Sequence, residues 1–183
     1  MMKWMTRGWV VAVAALMAIG TLGAAPAQAQ QIEGTDVRSA RAAILESEAA
    51  GLSEQRHKWD YAASLYRAAA NIREDGDPKA VHDMVYAGRL SYYLRDLGMA
   101  VRDLEAAAQH ALAGGDVIKA AHIYTDAAWV AGKDGKTRNQ RSLASRAQRL
   151  AESPLLTAAD RLDVLGRFDR VVTAENQDDW PPQ

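Results

Sequence analysis

The chain has 183 residues, with 22 lysines and arginines against 23 acids, a formal charge of −1 and no cysteine. This near balance argues against bulk attraction to nucleic acid. The missing cysteines exclude disulfide staples and a lipid-modified cysteine, so a core of the size this length allows has to be held by packing.

Residues 1–29 read as a secretory leader and are set aside from the fold. Lys3 and Arg7 form a positive start, Trp9 to Leu22 is an apolar stretch of fourteen residues, and Ala27-Gln28-Ala29 gives the small-x-small pattern that signal peptidase accepts. A spanning helix needs about 20 apolar residues, and Gly20, Gly23 and Pro26 loosen the end of this shorter stretch. Cleavage after Ala29 leaves Gln30 first, removes two of the 22 bases and none of the 23 acids, and takes the charge to −3. The expected location is the periplasm or the medium, with no integral membrane span in the mature chain.

The remainder is rich in Ala, Leu, Arg and Asp and shows no alternating strand pattern, which points to an all-α fold. Breakers and caps divide it into seven helices, near 36–50, 56–74, 78–96, 99–113, 116–132, 138–152 and 158–173. The first mixes Arg38, Arg41, Glu46 and Glu48 with Val37, Ile44 and Leu45. It is amphipathic enough to cap an exposed end of a helical array, so a monomer is the favoured state. Gly51, Gly76, Gly98, Gly114 with Gly115, and Gly135 stand where helices should end. Asp77-Pro78 sets a capping acceptor before a proline that loses nothing at the first helical position. The third helix spreads Val81, Met84, Val85, Leu90 and Leu94 over more than one face, as expected at the centre of an array. Thr137-Arg138-Asn139-Gln140 fits a capping box at the start of the sixth helix. Residues 174–183 are acidic, end in prolines and are expected to be disordered.

Odd helices begin near 36, 78 and 116 and even ones near 56, 99 and 138, so each series advances by about 40 residues, as helical-hairpin repeats do. Short connections make the pairs antiparallel. A small residue, a large one four positions on and a second small one three further recur as Ala62-Tyr66-Ala69, Ala100-Leu104-Ala107 and Ala120-Tyr124-Ala127. Those spacings place all three on one helical face, where alanines admit a neighbouring helix and the large residue fills the gap.

The segment from Gly115 to Ala128 resembles the second-helix half of a tetratricopeptide repeat, with its turn glycine, Ala120, Tyr124 and Ala127. Lys58-Trp59-Asp60-Tyr61-Ala62 through Ala69 resembles the same half, and Leu90, Ser91, Leu94 and Gly98 look like the first half and its closing turn. The resemblance covers roughly residues 56–132 and implies antiparallel hairpins stacked as a short tetratricopeptide-like α-solenoid that binds proteins or peptides. Other helical-hairpin solenoids stack in the same way.

Chemistry-bearing patterns do not accompany this fold. His57, His82, His110 and His122 share no metal-ligand spacing. There is no Gly-x-Ser-x-Gly elbow and no phosphate loop. Asp75-Gly76-Asp77 and Lys133-Asp134-Gly135 lack the spaced acids of a calcium loop and read as turns. No catalysis, metal or cofactor is expected. The aromatics Trp59, Tyr61, Tyr66, Tyr86, Tyr92, Tyr93, Tyr124 and Trp129 are expected mostly as core. A binding groove could use them, and Tyr92 and Arg95 are placed as an exposed pair, candidates to bind a partner, facing away from a Leu90-Leu94-Leu97 seam.

The sixth helix carries Arg138, Arg141, Arg146 and Arg149 on one broad side and Leu143, Ala144, Ala147, Leu150 and Ala151 on the other. That side suits an acidic protein, phospholipid headgroups or an anionic polymer, unless Asp160, Asp163 and Asp169 of the next helix neutralise part of it or it is only a solvated face. The function expected is that of an exported adaptor or scaffold without catalysis. A chaperone-like or stress-response protein is the alternative, because Leu156-Thr157-Ala158-Ala159-Asp160 resembles the Leu-Thr-x-x-Gln motif of small helical periplasmic stress proteins, with Asp160 in place of glutamine. An enzyme relying on scattered carboxylates is a third class.

Overall fold

The computed structural model describes the backbone of residues 25–173 and of Trp180, and the side chains of residues 37–171 and of Trp180. The helices are α1 (Ala25–Ser53), α2 (Trp59–Ile72), α3 (Pro78–Tyr93), α4 (Leu97–Ala113), α5 (Val117–Lys133), α6 (Thr137–Ala151) and α7 (Ala158–Thr173), with one 3-10 turn, Arg56–Lys58, ahead of α2. No strand occurs among the described residues. From α1 to α6 each helix packs on the next, and α7 rests chiefly on α5 and lightly on α6. The connections are short, so the chain is an all-α solenoid of antiparallel hairpins. The backbone of α1 begins at Ala25, ahead of the expected cleavage point. Residues 1–24 lie outside the described residues. No described helix is long and apolar enough to cross a membrane.

Local chemistry explains most boundaries. Asp77 Oδ1 accepts from the Lys79 amide at 2.8 Å with Pro78 opening α3, and Asp96 and Asp116 cap α4 and α5 by accepting at 3.0 Å from Met99 and Lys119. Helices α3, α4 and α5 end in one turn geometry. A left-handed residue stands at Arg95, Gly115 and Gly135. The amide that follows it, of Asp96, Asp116 and Lys136 in turn, donates back to the carbonyl of Ser91, Ala111 and Ala131. The twenty-residue step between these positions is the half-period of the repeat.

Three sequence expectations change here. Gly51 and Gly98 lie inside α1 and α4, and the left-handed terminal position after α3 belongs to Arg95, with φ 65°. The capping box at Thr137–Gln140 does not form, because the α5 turn makes Lys136 the N-cap and leaves Thr137 already helical. A capping box forms instead on α7, where Asp160 Oδ2 accepts from the Thr157 amide at 3.0 Å and Thr157 Oγ1 accepts from the Asp160 amide at 3.2 Å.

All nine residues of the recurring small-large-small pattern are buried, from Ala62 at 0% to Tyr124 at 4% exposed. Leu104 sits against Gly88 of α3, where a β-carbon would meet Leu104 Cγ at 3.3 Å. The turns after α2 and α4 touch backbone to backbone, since a β-carbon on Gly114 would stand 2.6 Å from the Gly76 carbonyl oxygen. Buried acids bind the layers together through arginines. Arg67 of α2 donates at 2.8 Å to each Asp103 oxygen on α4 and at 2.6 Å to Ser91 on α3. Removing one partner of such a buried pair typically costs about 3–5 kcal/mol, because the remaining charge is left uncompensated.

Candidate functional site

Helix α6 keeps the two-sided character expected of it. Leu143, Ala147 and Ala151 are buried, whereas Arg138, Arg141 and Arg149 are exposed. Arg146 is half-buried and does not stand free with the other three. Its Nη1 lies 3.1 Å from Glu105 of α4, and its guanidinium sits 5.6 Å above the Tyr124 ring. Arg149 donates to Ser145 of its own helix at 2.6 Å. Among the described residues no carboxylate pairs with Arg138, Arg141 or Arg149. Asp160 is engaged at its own helix start, and Asp163 faces His122 at 3.2 Å.

Tyr92 is buried at 3% exposure, which corrects its placement as an exposed partner of Arg95. That placement needs the helical phase of α3 to run on through Leu97, but the helix ends at Tyr93 and the left-handed turn at Arg95 breaks the phase. Leu94 is consequently 42% exposed, while Arg95 projects from the turn. Tyr92 instead joins a ladder of rings across the array. Its centroid lies 5.4 Å from Trp129 of α5, 5.5 Å from Tyr93 and 5.6 Å from Trp180, and Tyr93 is 6.0 Å from Trp59 of α2. Cations border the ladder. Arg56 stands over Trp59 at 5.7 Å, Arg89 over Tyr93 at 6.0 Å and Lys133 over Trp129 at 5.2 Å. Most of the aromatics are core or part of this ladder, with Tyr61 and Tyr86 the exposed exceptions. Trp180 lies in the tail expected to be disordered, yet it is half-buried against the core. The other residues of 174–183 fall outside those described.

Two acidic clusters were invisible in the sequence because their members come from different helices. Glu46, His82 and Asp83 bring donor atoms within 4.8 Å of one another, a set that can hold a metal ion. Arg73, however, already supplies the positive charge there, at 2.6 Å from Glu46 and 3.2 Å from Asp83. Burial pushes the Asp83 carboxyl up, and the bond from Arg73 counters it. In the second cluster, Arg167 of α7 donates to both Asp126 oxygens, at 2.8 and 3.1 Å. Burial lifts Asp126 to about 6 against the pull of Arg167. Burial and the Arg167 charge together lower His122, against the opposing effect of Asp163. Each cluster joins separate helices through ion pairs, with Arg73 linking Glu46 of α1 to Asp83 of α3 and Arg167 linking α7 to Asp126 of α5.

Compared with known proteins, the chain matches no family model, no curated protein and no solved structure.

Proposed function

We propose that the chain is an exported, tetratricopeptide-like adaptor that binds an acidic protein or peptide by surface complementarity, without catalysis of its own. The observation that carries this reading is the solvent side of α6, where Arg138, Arg141 and Arg149 stand exposed above a buried apolar face. Guanidinium groups remain charged at physiological pH and can donate in pairs to carboxylates. Seated on a packed helix, their backbone needs no ordering on binding, which lowers the entropic cost of association. Export rests on the leader pattern of residues 1–29, and the family likeness rests on the recurring alanine-aromatic-alanine face. Arg146 is left out of the contact surface because Glu105 and Tyr124 hold it.

The reading is tested by titrating fluorescently labelled poly-glutamate into the full chain and into an Arg138→Glu/Arg141→Glu variant while following anisotropy. The wild type should bind, weaken as salt shortens the Debye length below about 8 Å, and lose binding in the variant at unchanged helicity. Equal binding by both proteins would remove α6 from the account.

A second reading, a chaperone-like protein, draws on the apolar side chains exposed toward the ends of the array. Val37 and Ile44 of α1 are 69% and 68% exposed, and Leu155 and Leu162, before and on α7, are 78% and 72% exposed. Suppression of aggregation of an unfolded client, lost on Ile44→Ser/Leu162→Ser, would favour it.

A further inference from the structure

The ring ladder formed by Tyr92, Tyr93 and Trp129 has an occupant within the same chain. Trp180 packs on the main core cluster and meets Tyr92 edge-on, with centroids 5.6 Å apart and planes at 77°. Edge-to-face contact at this distance is the favoured arrangement of aromatic pairs. Trp180 lies seven positions beyond Thr173, the last residue of α7. The seat therefore receives an indole ring that comes from outside helices α1 to α7.

Charge supports the same conclusion. Arg89 and Lys133 stand over Tyr93 and Trp129 on either side of Tyr92, with Arg56 further along over Trp59. The sequence around the occupant is opposite in sign. Glu175, Asp178 and Asp179 precede Trp180, and residues 174–183 contain no lysine or arginine. Rings bordered by cations suit an aromatic side chain that arrives with carboxylates beside it. The basic side of α6 is a different surface and offers arginines without this ladder.

We propose that the aromatic seat on Tyr92 and Trp129 is a docking site for an acidic peptide segment carrying a tryptophan, and that Trp180 of the chain's own tail is its resident occupant. A partner with a segment of this chemistry binds by displacing Trp180. The seat deepens the adaptor reading by naming a partner segment, and its role rests on that reading. Its physical basis is independent of α6.

The test uses the full chain and a labelled synthetic peptide with the sequence of residues 174–183. A tethered tail competes at an effective concentration of roughly millimolar. The Trp180→Ala chain, whose seat lacks the resident indole, should therefore bind the peptide at least tenfold more tightly than the wild type does. The same peptide with alanine in place of its tryptophan should not bind, and Lys133→Glu added to the Trp180→Ala chain should weaken binding several-fold while circular dichroism stays unchanged. Equal affinity of the wild type and Trp180→Ala, or equal affinity for the tryptophan and alanine peptides, would overturn the proposal. A wild type that dimerises in sedimentation where Trp180→Ala stays monomeric would overturn the assignment of the occupant to the same chain and give the seat to the tail of a second copy. Poly-glutamate is titrated into the same proteins. If it still binds through α6 while the peptide does not, only the docking role of the seat falls, and loss of both removes the adaptor reading as well.

Discussion

Replacing Leu104 by alanine removes the largest fully buried side chain of α4 from a site whose neighbours cannot fill the gap. Leu104 is 0% exposed, flanked on its own face by Ala100 and Ala107 and faced across the α3–α4 interface by Gly88. Leu→Ala changes in well-packed cores cost about 2–5 kcal/mol, with the larger values where surroundings fail to collapse. Three short neighbours place Leu104→Ala at about 3–4 kcal/mol. Gly88→Ala gives a second handle. Its new methyl would meet Leu104 Cγ and the Ala100 carbonyl oxygen at 3.3 Å, so the gain in helix propensity, up to about 1 kcal/mol, is offset by crowding. Once Leu104 is shortened that crowding is relieved, and the double variant should be more stable than the sum of the single changes by about 1 kcal/mol. Urea unfolding followed by far-ultraviolet circular dichroism measures all three. A cost below about 1 kcal/mol for Leu104→Ala, or strict additivity in the double variant, would show that α3 and α4 do not meet through this contact.

Ala120→Leu and Ala127→Leu, both at 0% exposed positions flanking Tyr124, should each destabilise by about 1–3 kcal/mol through overpacking; an unchanged melting temperature in both would refute the packing of α5. Arg95→Gly relieves a left-handed backbone at φ 65° and should stabilise by up to about 1 kcal/mol, whereas the same change at exposed Arg141, in mid-helix, should destabilise by a similar amount. A stability loss at Arg95 equal to that at Arg141 would contradict the turn assignment. Asp126 in the folded chain holds its proton up to about pH 6, above its ordinary 3.8. Its contribution is therefore fully present below about pH 4 and is lost as pH rises through about 6. Relative to Asp126→Asn, the wild type should lose up to about 3 kcal/mol between those limits, and parallel stability–pH curves would refute the raised carboxyl.

The helices were legible because their signals are local. Asp77-Pro78 reports a cap from adjacent residues, and Ala100-Leu104-Ala107 reports a buried face from spacing along one helix. Sequence and structure part where a neighbouring element decides the outcome. Thr137 looks like an N-cap in isolation, but the turn that closes α5 claims Lys136 for that position. Arg95 carries no mark of a left-handed conformation, since glycine usually fills that place, and only with this turn does the helical phase stop at Tyr93 and Tyr92 face inward. Arg146 counts with the other α6 arginines by angle alone, yet Glu105 of another hairpin holds it. The Glu46–Arg73–Asp83 cluster unites positions far apart in sequence, and no spacing rule within one helix brings them together. The seat of Trp180 was hidden for the same reason: a polar, proline-ended tail lacks an amphipathic face, so the ring it places on Tyr92 becomes visible only in three dimensions.

The central claim, that this solenoid acts as an adaptor through the basic side of α6, is tested most directly by affinity capture from an envelope extract with the wild type and with Arg138→Glu/Arg141→Glu. Helicity and melting of the two proteins are matched beforehand. The account predicts one stoichiometric acidic partner on the wild type, released by salt and absent from the variant. A mixture of unfolded clients held equally by both proteins, or a partner retained in full by the variant, would contradict it.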